Sequence, residues 1–207
     1  MKIGICGGTF DPFHRGHLEP ILAVREPMEW ALVIYMPAHQ QPFKLDRLSA
    51  SGYHRFAMAV LGTEEFDGLF VSQSELERGQ VSYTVDTLEQ LRAAYPDAVL
   101  DWIIGDDNVA QLGDWKNIDR IFELANFAVL TRSGRDGDVP ERFGSLITTA
   151  AARSTHGGIV FARNQTIPIS STEVRRRIRA GEPIDDLVDP RVARHIQHYG
   201  LYREAQQ

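Results

Sequence analysis

A chain of 207 residues with 43% hydrophobic and 24% charged side chains has the length of one domain or two small ones and the make-up of an ordinary globular protein, neither disordered nor fibrous. Its net charge of −6, from 22 basic and 28 acidic residues, argues against a surface that tracks a nucleic-acid backbone, so no nucleic-acid partner is expected. One cysteine, Cys6, excludes an internal disulfide and a multi-thiolate metal site and suits a reducing compartment.

In chain order, residues 2–6 read as a first strand. They run straight into Gly7-Gly8-Thr9-Phe10-Asp11-Pro12-Phe13-His14-Arg15-Gly16-His17. Leu18, Ile21 and Leu22 then mark one face of a helix in which Pro20 removes a backbone bond and loosens the first turn. Residues 30–36, the longest apolar run, form a second strand. The run is far short of the ~18 residues of a membrane span, and the N-terminal residues lack a signal-peptide pattern. A cytoplasmic protein without a membrane partner is therefore expected.

A loop from Pro37 to Lys44 follows, then a strand over 69–72. A helix over 84–95 begins with Thr84 as N-cap, repeats Val85, Leu88 and Leu91 at helical spacing, and stops before Pro96. Strands are expected over 99–104, 127–131 and 158–162, with a weakly patterned, glycine-spotted excursion over 132–157. Ser170-Ser171-Thr172-Glu173 matches a capping box whose helix ends at Gly181. Asp189-Pro190 opens a last helix that stops at Gly200. Strands alternating with helices imply an α/β, Rossmann-like parallel sheet with helices on both faces and C-terminal helices, in a single domain over 1–207.

Chemistry concentrates where strands end. Glycines directly after a first strand allow a tight turn and close approach of a phosphate, and the amides at a following helix start favour an anion. The spacing fits neither the dinucleotide G-x-G-x-x-G nor the P-loop. His14 and His17, three residues apart, can face one ligand. Capping of a polar helix end is the bland alternative. Zinc would need a third ligand, and neither His39 nor Asp107 gives a recognised spacing, so no protein-held metal is expected. Gly7–His17, Pro37–Lys44, Ser82–Thr84, Gly105–Asp107, Arg132 and Ser170–Thr172 all follow expected strands, on the edge where open α/β sheets bind ligands. An arginine in the first turn of a helix, Arg175, opposes the helix dipole unless an anion sits there. Arg176, Arg177 and Arg179 read as a solvated basic face.

The segment Gly8 to His17 resembles the (T/H)xGH signature of the nucleotidyltransferase superfamily. Its longer form, Gly-Gly-Thr-Phe-Asp-Pro, is similar to that of bacterial nicotinate mononucleotide adenylyltransferases. Ser82 to Leu88, Gly105-Asp106-Asp107 with Trp115 downstream, Ile169 to Arg175 and the closing stretch Val192 to Tyr202 match that family in the same order. The resemblance implies phosphate contacts and charge stabilisation by His14, His17, Lys44 and Arg175. It implies ATP contacts by Gly7, Gly8, Thr9, Phe10, Gly16, Gly105, Asp107, Ser170, Ser171 and Thr172. Acceptor contacts would come from Asp11, Tyr83, Thr84, Trp115 and Arg132, with Trp115 as plain core the alternative.

The implied reaction transfers AMP from ATP to nicotinate mononucleotide, with Mg²⁺ held mainly by phosphates. The partners are small molecules, and a homo-oligomer is left open. Where relatives commonly read Pro-Asn-x-x-Pro-Pro-His-Lys, this chain has Pro37-Ala38-His39-Gln40-Gln41-Pro42-Phe43-Lys44. Phenylalanine cannot donate to a phosphate, so His39 is the candidate substitute. Nicotinamide mononucleotide or phosphopantetheine as acceptor, or a non-catalytic nucleotide sensor, are the rival readings.

Overall fold

The computed structural model describes residues 1–40, 50–131 and 138–203. Strand β1 spans Lys2–Gly8, β2 Leu32–Pro37, β3 Leu69–Val71, β4 Val99–Gly105, β5 Asn126–Leu130, β6 Ile147–Thr148 and β7 Ile159–Ala162. They form one sheet in the order β3-β2-β1-β4-β5-β7-β6, with every pairing parallel. Alternation along the strands explains why both faces are covered. In β2, Val33 and Tyr35 enter one apolar cluster, while Ile34 and Met36 enter another, because successive strand side chains leave on opposite faces.

Helices α1 (Arg15–Arg25), α2 (Gly52–Thr63), α6 (Ser171–Ala180) and α7 (Pro190–Tyr199) supply Ile21, Met58, Val174 and Val192 to the first cluster. Helices α4 (Thr84–Ala94) and α5 (Ile118–Leu124) supply Leu88 and Ile121 to the second. Each such side chain contributes about 1.5–3 kcal/mol when fully buried. A short helix, α3 (Ser74–Arg78), precedes α4.

All six expected strands are present, shifted at their ends by one or two residues. β1 is longer than expected and takes in Gly7 and Gly8. Thr84 is the first helical residue of α4, with Tyr83 as N-cap, and so does not itself cap the helix. α1 continues through Pro20, whose ring is buried; packing of its apolar face outweighs one missing bond. Within the expected excursion, the described residues contain a 3₁₀ helix, Glu141–Leu146, and the edge strand β6. α2, α3 and α5 were not foreseen. The buried face of α2 includes Arg55 and Gly62, which breaks its apolar stripe, and α5 has only seven residues.

β1 bonds to β2 on one side and to β4 on the other. The chain builds outward through β2 and β3, then crosses back to start β4. This reversal makes a crevice at the C-terminal ends of β1 and β4, the ligand position of open α/β sheets.

The opposite edge is locked by a buried ion pair. Arg153 and Asp101 lie 3.0 Å apart with side chains 1% and 0% exposed. Trp30 Nε1 and Asn126 Nδ2 also donate to Asp101, at 2.7 and 3.0 Å, and Arg153 donates to the Met28 carbonyl at 2.6 Å. The network ties the segment after β6 to the N-terminal ends of the strands. Arg153→Ala leaves a buried carboxylate without its cation and should lower unfolding free energy by about 3–5 kcal/mol in a denaturant titration. A loss below about 1 kcal/mol would show that this edge does not depend on the pair.

Candidate active site

The crevice is built first by the turn after β1. A Cβ on Gly7 would lie 2.6 Å from the Trp102 ring, and one on Gly8 would lie 2.7 Å from the Phe10 ring. Internal packing therefore already requires both glycines. Phe10 adopts the left-handed conformation, φ 52°, and the Asp11–Pro12 bond is cis. Phe10 and Phe13 turn inward, both 2% exposed, and meet Tyr35 edge-on. The expected ATP contact of Phe10 is thus restricted to its backbone.

His14 ends the turn as N-cap of α1. Its ring stacks on His17, with centroids 3.6 Å apart, and its amide donates to His17 Nδ1 at 3.2 Å. Phe10 meets His17 edge-on at 5.0 Å, and the Tyr35 hydroxyl donates to the His17 carbonyl at 3.3 Å. The pair expected to share a ligand is therefore adjacent and held in place from below. His14 is buried, and His17 is partly exposed. A Cβ on Gly16 would meet the His14 ring and the Ile169 carbonyl, each at 3.1 Å, so Gly16 admits a chain crossing whether or not it contacts nucleotide.

The amides of α1 differ from expectation. Arg15 N donates to Leu187 O at 2.9 Å and His17 N to His14 O at 2.8 Å. With the His14 amide on His17 Nδ1, most of the helix-start donors that the glycine motif suggested for an anion are engaged inside the protein.

Asp11, expected to contact the acceptor, is 3% exposed, and its Oδ1 accepts from Ala50 N at 3.2 Å and from the Tyr202 hydroxyl at 2.8 Å. Burial pushes the Tyr202 hydroxyl well above the usual tyrosine range, reinforced by Asp11, so the hydroxyl remains a neutral donor. Arg55, 1% exposed, lies beneath the same turn. It donates to Thr9 O at 2.6 Å and to His39 O at 3.4 Å. Burial lowers its pKa, while the charge of Asp11 opposes that shift.

From above, Arg175 donates to Asp11 O at 2.6 Å and Ser171 to Pro12 O at 3.1 Å. The start of α6 thus lies on the histidine turn, as the sequence order implied. Ser170 accepts from Glu173 N at 3.2 Å, but only this half of the expected capping box forms. The Glu173 carboxylate pairs instead with Arg176 and Arg177, and these bonds hold it down to about 2. Arg176 and Arg177 are accordingly tied to carboxylates on the helix surface. Thr172 is exposed, with Arg175 3.4 Å from its hydroxyl.

On the other side of the crevice, Tyr83 and Trp115 pack against the same apolar cluster. Trp115 is edge-on to Phe127, and Lys116 Nζ lies 4.1 Å from the Tyr83 ring centroid. Thr84 opens α4. Gly105 ends β4, and exposed Asp107 bonds Asn108 at 3.0 Å. Ser82 accepts from His39 N at 3.1 Å, which attaches the loop after β2 to this side. Buried Glu75 supports it: Thr87 donates to Glu75, and burial raises the carboxyl pKa against the pull of hydrogen bonds from Thr87 and Ser82. Lys44, Phe43 and Arg132 lie outside the described residues. Sequence reasoning missed Arg55, Glu75 and the link from Tyr202 to Asp11. For Arg55 the signal was available, because a cation at 55 shares a helical face with Met58, Ala59 and Gly62.

A parallel sheet with a reversal at β1, a histidine pair after that strand and an arginine-bearing helix start above it define a nucleotide-handling α/β enzyme. The profile of the cytidylyltransferase-like family matches residues 5–177. A protein of Gemmatimonas aurantiaca named "probable nicotinate-nucleotide adenylyltransferase" is 37% identical, covering 99% of this chain and 93% of the relative. One of the same name from a Thermoanaerobacter species is 34% identical, covering 99% and 95%. Among solved structures, Plasmodium falciparum nicotinic acid mononucleotide adenylyltransferase complexed with NaAD matches with TM-score 0.70 at 20% identity, over 97% of both chains. The chain belongs to the cytidylyltransferase-like family and, within it, to the nicotinate-nucleotide adenylyltransferases.

The buried contact under the turn gives a direct test. Tyr202→Phe removes one donor to a buried carboxylate and nothing else, so stability should fall by about 1–3 kcal/mol in thermal or denaturant unfolding. An unchanged stability would mean that the Asp11 carboxylate does not rely on this donor.

Proposed function

We propose that this chain joins the AMP moiety of ATP to the phosphate of nicotinate mononucleotide, releasing pyrophosphate and forming nicotinate adenine dinucleotide. The observation that carries the proposal is the convergence of the stacked His14–His17 pair and the Arg175-bearing start of α6 on one turn at the sheet's reversal point. The acceptor phosphate has a second pKa of about 6 and is largely ionised at neutral pH, so no strong base is needed. One of its oxygens attacks the α-phosphorus as the bond to the bridging oxygen breaks, and pyrophosphate leaves with that electron pair. Alignment and charge neutralisation then supply most of the acceleration.

In this reading His14, His17, Lys44 and Arg175 face the phosphates. The backbone of Gly7 to Phe10 and of Gly16, with Gly105, Asp107, Ser170, Ser171 and Thr172, surrounds ATP. Tyr83, Thr84, Trp115 and Arg132 take the acceptor, while Asp11 acts through its backbone and its buried carboxylate. Mg²⁺ enters with the triphosphate. Held mainly by the phosphates, the ion would supply charge neutralisation on the departing pyrophosphate. The described strands all belong to one sheet, which supports a single domain. No helix among the described residues is long and apolar enough to cross a membrane.

Acceptor choice should follow charge. The Trp115 N–H is donated to Leu112 O at 3.3 Å, so the charge preference rests on the amides at Tyr83–Thr84 and on the Lys116 ammonium, which lies beside the Tyr83 ring and is shared with Asp86 at 3.3 Å; these suit a carboxylate better than a carboxamide. Pyrophosphate release should therefore show a higher kcat/KM for nicotinate mononucleotide than for nicotinamide mononucleotide or phosphopantetheine. In the same assay His17→Ala should lower kcat at least about a hundredfold while the protein stays folded. Equal use of the first two acceptors would contradict the pocket assignment. Binding of ATP without turnover on any acceptor would favour a sensor.

A further inference from the structure

We infer that Arg55 is a positioning residue for adenylyl transfer, its buried guanidinium holding together the two loops that the reaction uses. The inference rests on the function proposed above. Its two NH groups reach separate loops: Nη1 donates to Thr9 O, after β1, at 2.6 Å, and Nη2 donates to His39 O, after β2, at 3.4 Å. β1 and β2 are paired neighbours whose register ends at Gly8 and Pro37, and Ala38 N donates to Gly8 O at 2.8 Å. Beyond that last backbone bond the loops separate, and Arg55 spans the gap. Only a planar fork on a long stem can reach two carbonyls at once; a lysine ammonium is a single point.

The side chain is costly where it sits. It is 1% exposed, and its Nε has no hydrogen-bond partner among the described residues. Burial disfavours the charge, which Asp11 offsets. An apolar side chain of similar volume would fill the same space without that cost. What the guanidinium adds is peptide orientation. In a trans peptide the C=O and the following N–H point in opposite directions. Drawing the Thr9 carbonyl down towards α2 therefore turns the Phe10 N–H up, away from the core, at a residue whose positive φ bends the chain sharply. Nearby, Arg175 takes the Asp11 carbonyl from the α6 side. Two peptides of the turn, Thr9–Phe10 and Asp11–Pro12, are thus held by arginines from two helices. The Arg55 contact alone also reaches the His39 loop.

The test combines kinetics with hydrogen exchange on the full-length protein. Arg55→Met keeps the volume and removes the fork, and Arg55→Lys keeps the charge. Both should lower kcat by about tenfold or more, the scale expected when aligned groups shift by a fraction of an ångström. KM for ATP should change less, and Lys should not rescue. In Arg55→Met, amides over 7–17 and 37–40 should exchange faster together, while those of β5 stay protected. The exchange readout does not depend on turnover: a parent protein without pyrophosphate release but with this coupled loosening would sink the reaction assignment and leave intact only the bridging of the two loops by Arg55. Full kcat in Arg55→Lys, or unchanged exchange in both loops of a folded Arg55→Met, would overturn the inference. If Arg55→Met does not fold, Arg55→Lys gives the same two readouts.

Discussion

Beneath the turn after β1, a carboxylate and a guanidinium are buried together, and the shape of the crevice depends on how their needs are met. Asp11 and Arg55 are 3% and 1% exposed, and an isolated ion at that depth would cost several kcal/mol. Asp11 is satisfied by the Tyr202 hydroxyl, 191 residues away, and by Ala50 N just ahead of α2. Arg55 is satisfied by main-chain carbonyls of two loops. Each requirement recruits a different part of the chain. The turn carrying His14 and His17 is consequently braced from α2 and from the C-terminal segment, and Arg175 and Ser171 hold it from α6.

This bracing assigns the residues of the glycine turn two kinds of role. Gly7, Gly8 and Gly16 are small because Trp102, Phe10, His14 and Ile169 occupy the space where a Cβ would go. Phe10, Phe13 and Asp11 face inward and maintain the turn's shape. His17 is partly exposed, with the buried His14 ring stacked on it. A motif whose residues all look functional in sequence is divided, in three dimensions, between a scaffold and a reactive face. The same division holds at α6, where Glu173 with Arg176 and Arg177 forms a surface ion-pair network while Arg175 and Ser171 donate to the turn after β1.

Much of this architecture is legible from local pattern. Apolar runs gave six strands because a sheet covered on both faces needs continuous apolar residues, and the helices over 171–180 and 190–199 ended at glycines whose left-handed φ is found at Gly181 and Gly200. The ordered motifs pointed to the family. The long-range polar contacts were not legible. The helical face of Arg55 signals its burial but not its partners, Tyr202 carries no local sign of reaching Asp11, and the pairing of Asp101 with Arg153 depends on chain crossings that periodicity does not encode. The burial of Asp11 was hidden for the same reason: nothing local in the motif shows that its carboxylate is 3% exposed and bonded to Ala50 and Tyr202.

The claim at the centre of this account is that the protein presents the crevice ready-made, with the phosphates of ATP received by a turn already fixed from within. A crystal structure with a non-hydrolysable ATP analogue tests it most directly. The account predicts the triphosphate between His17 and the start of α6, the Thr9–Asp11 backbone unmoved, and the Arg55 bond to Thr9 and the Tyr202 bond to Asp11 both intact. A nucleotide bound elsewhere on the sheet, or a turn that refolds around it with those buried bonds broken, would contradict the account.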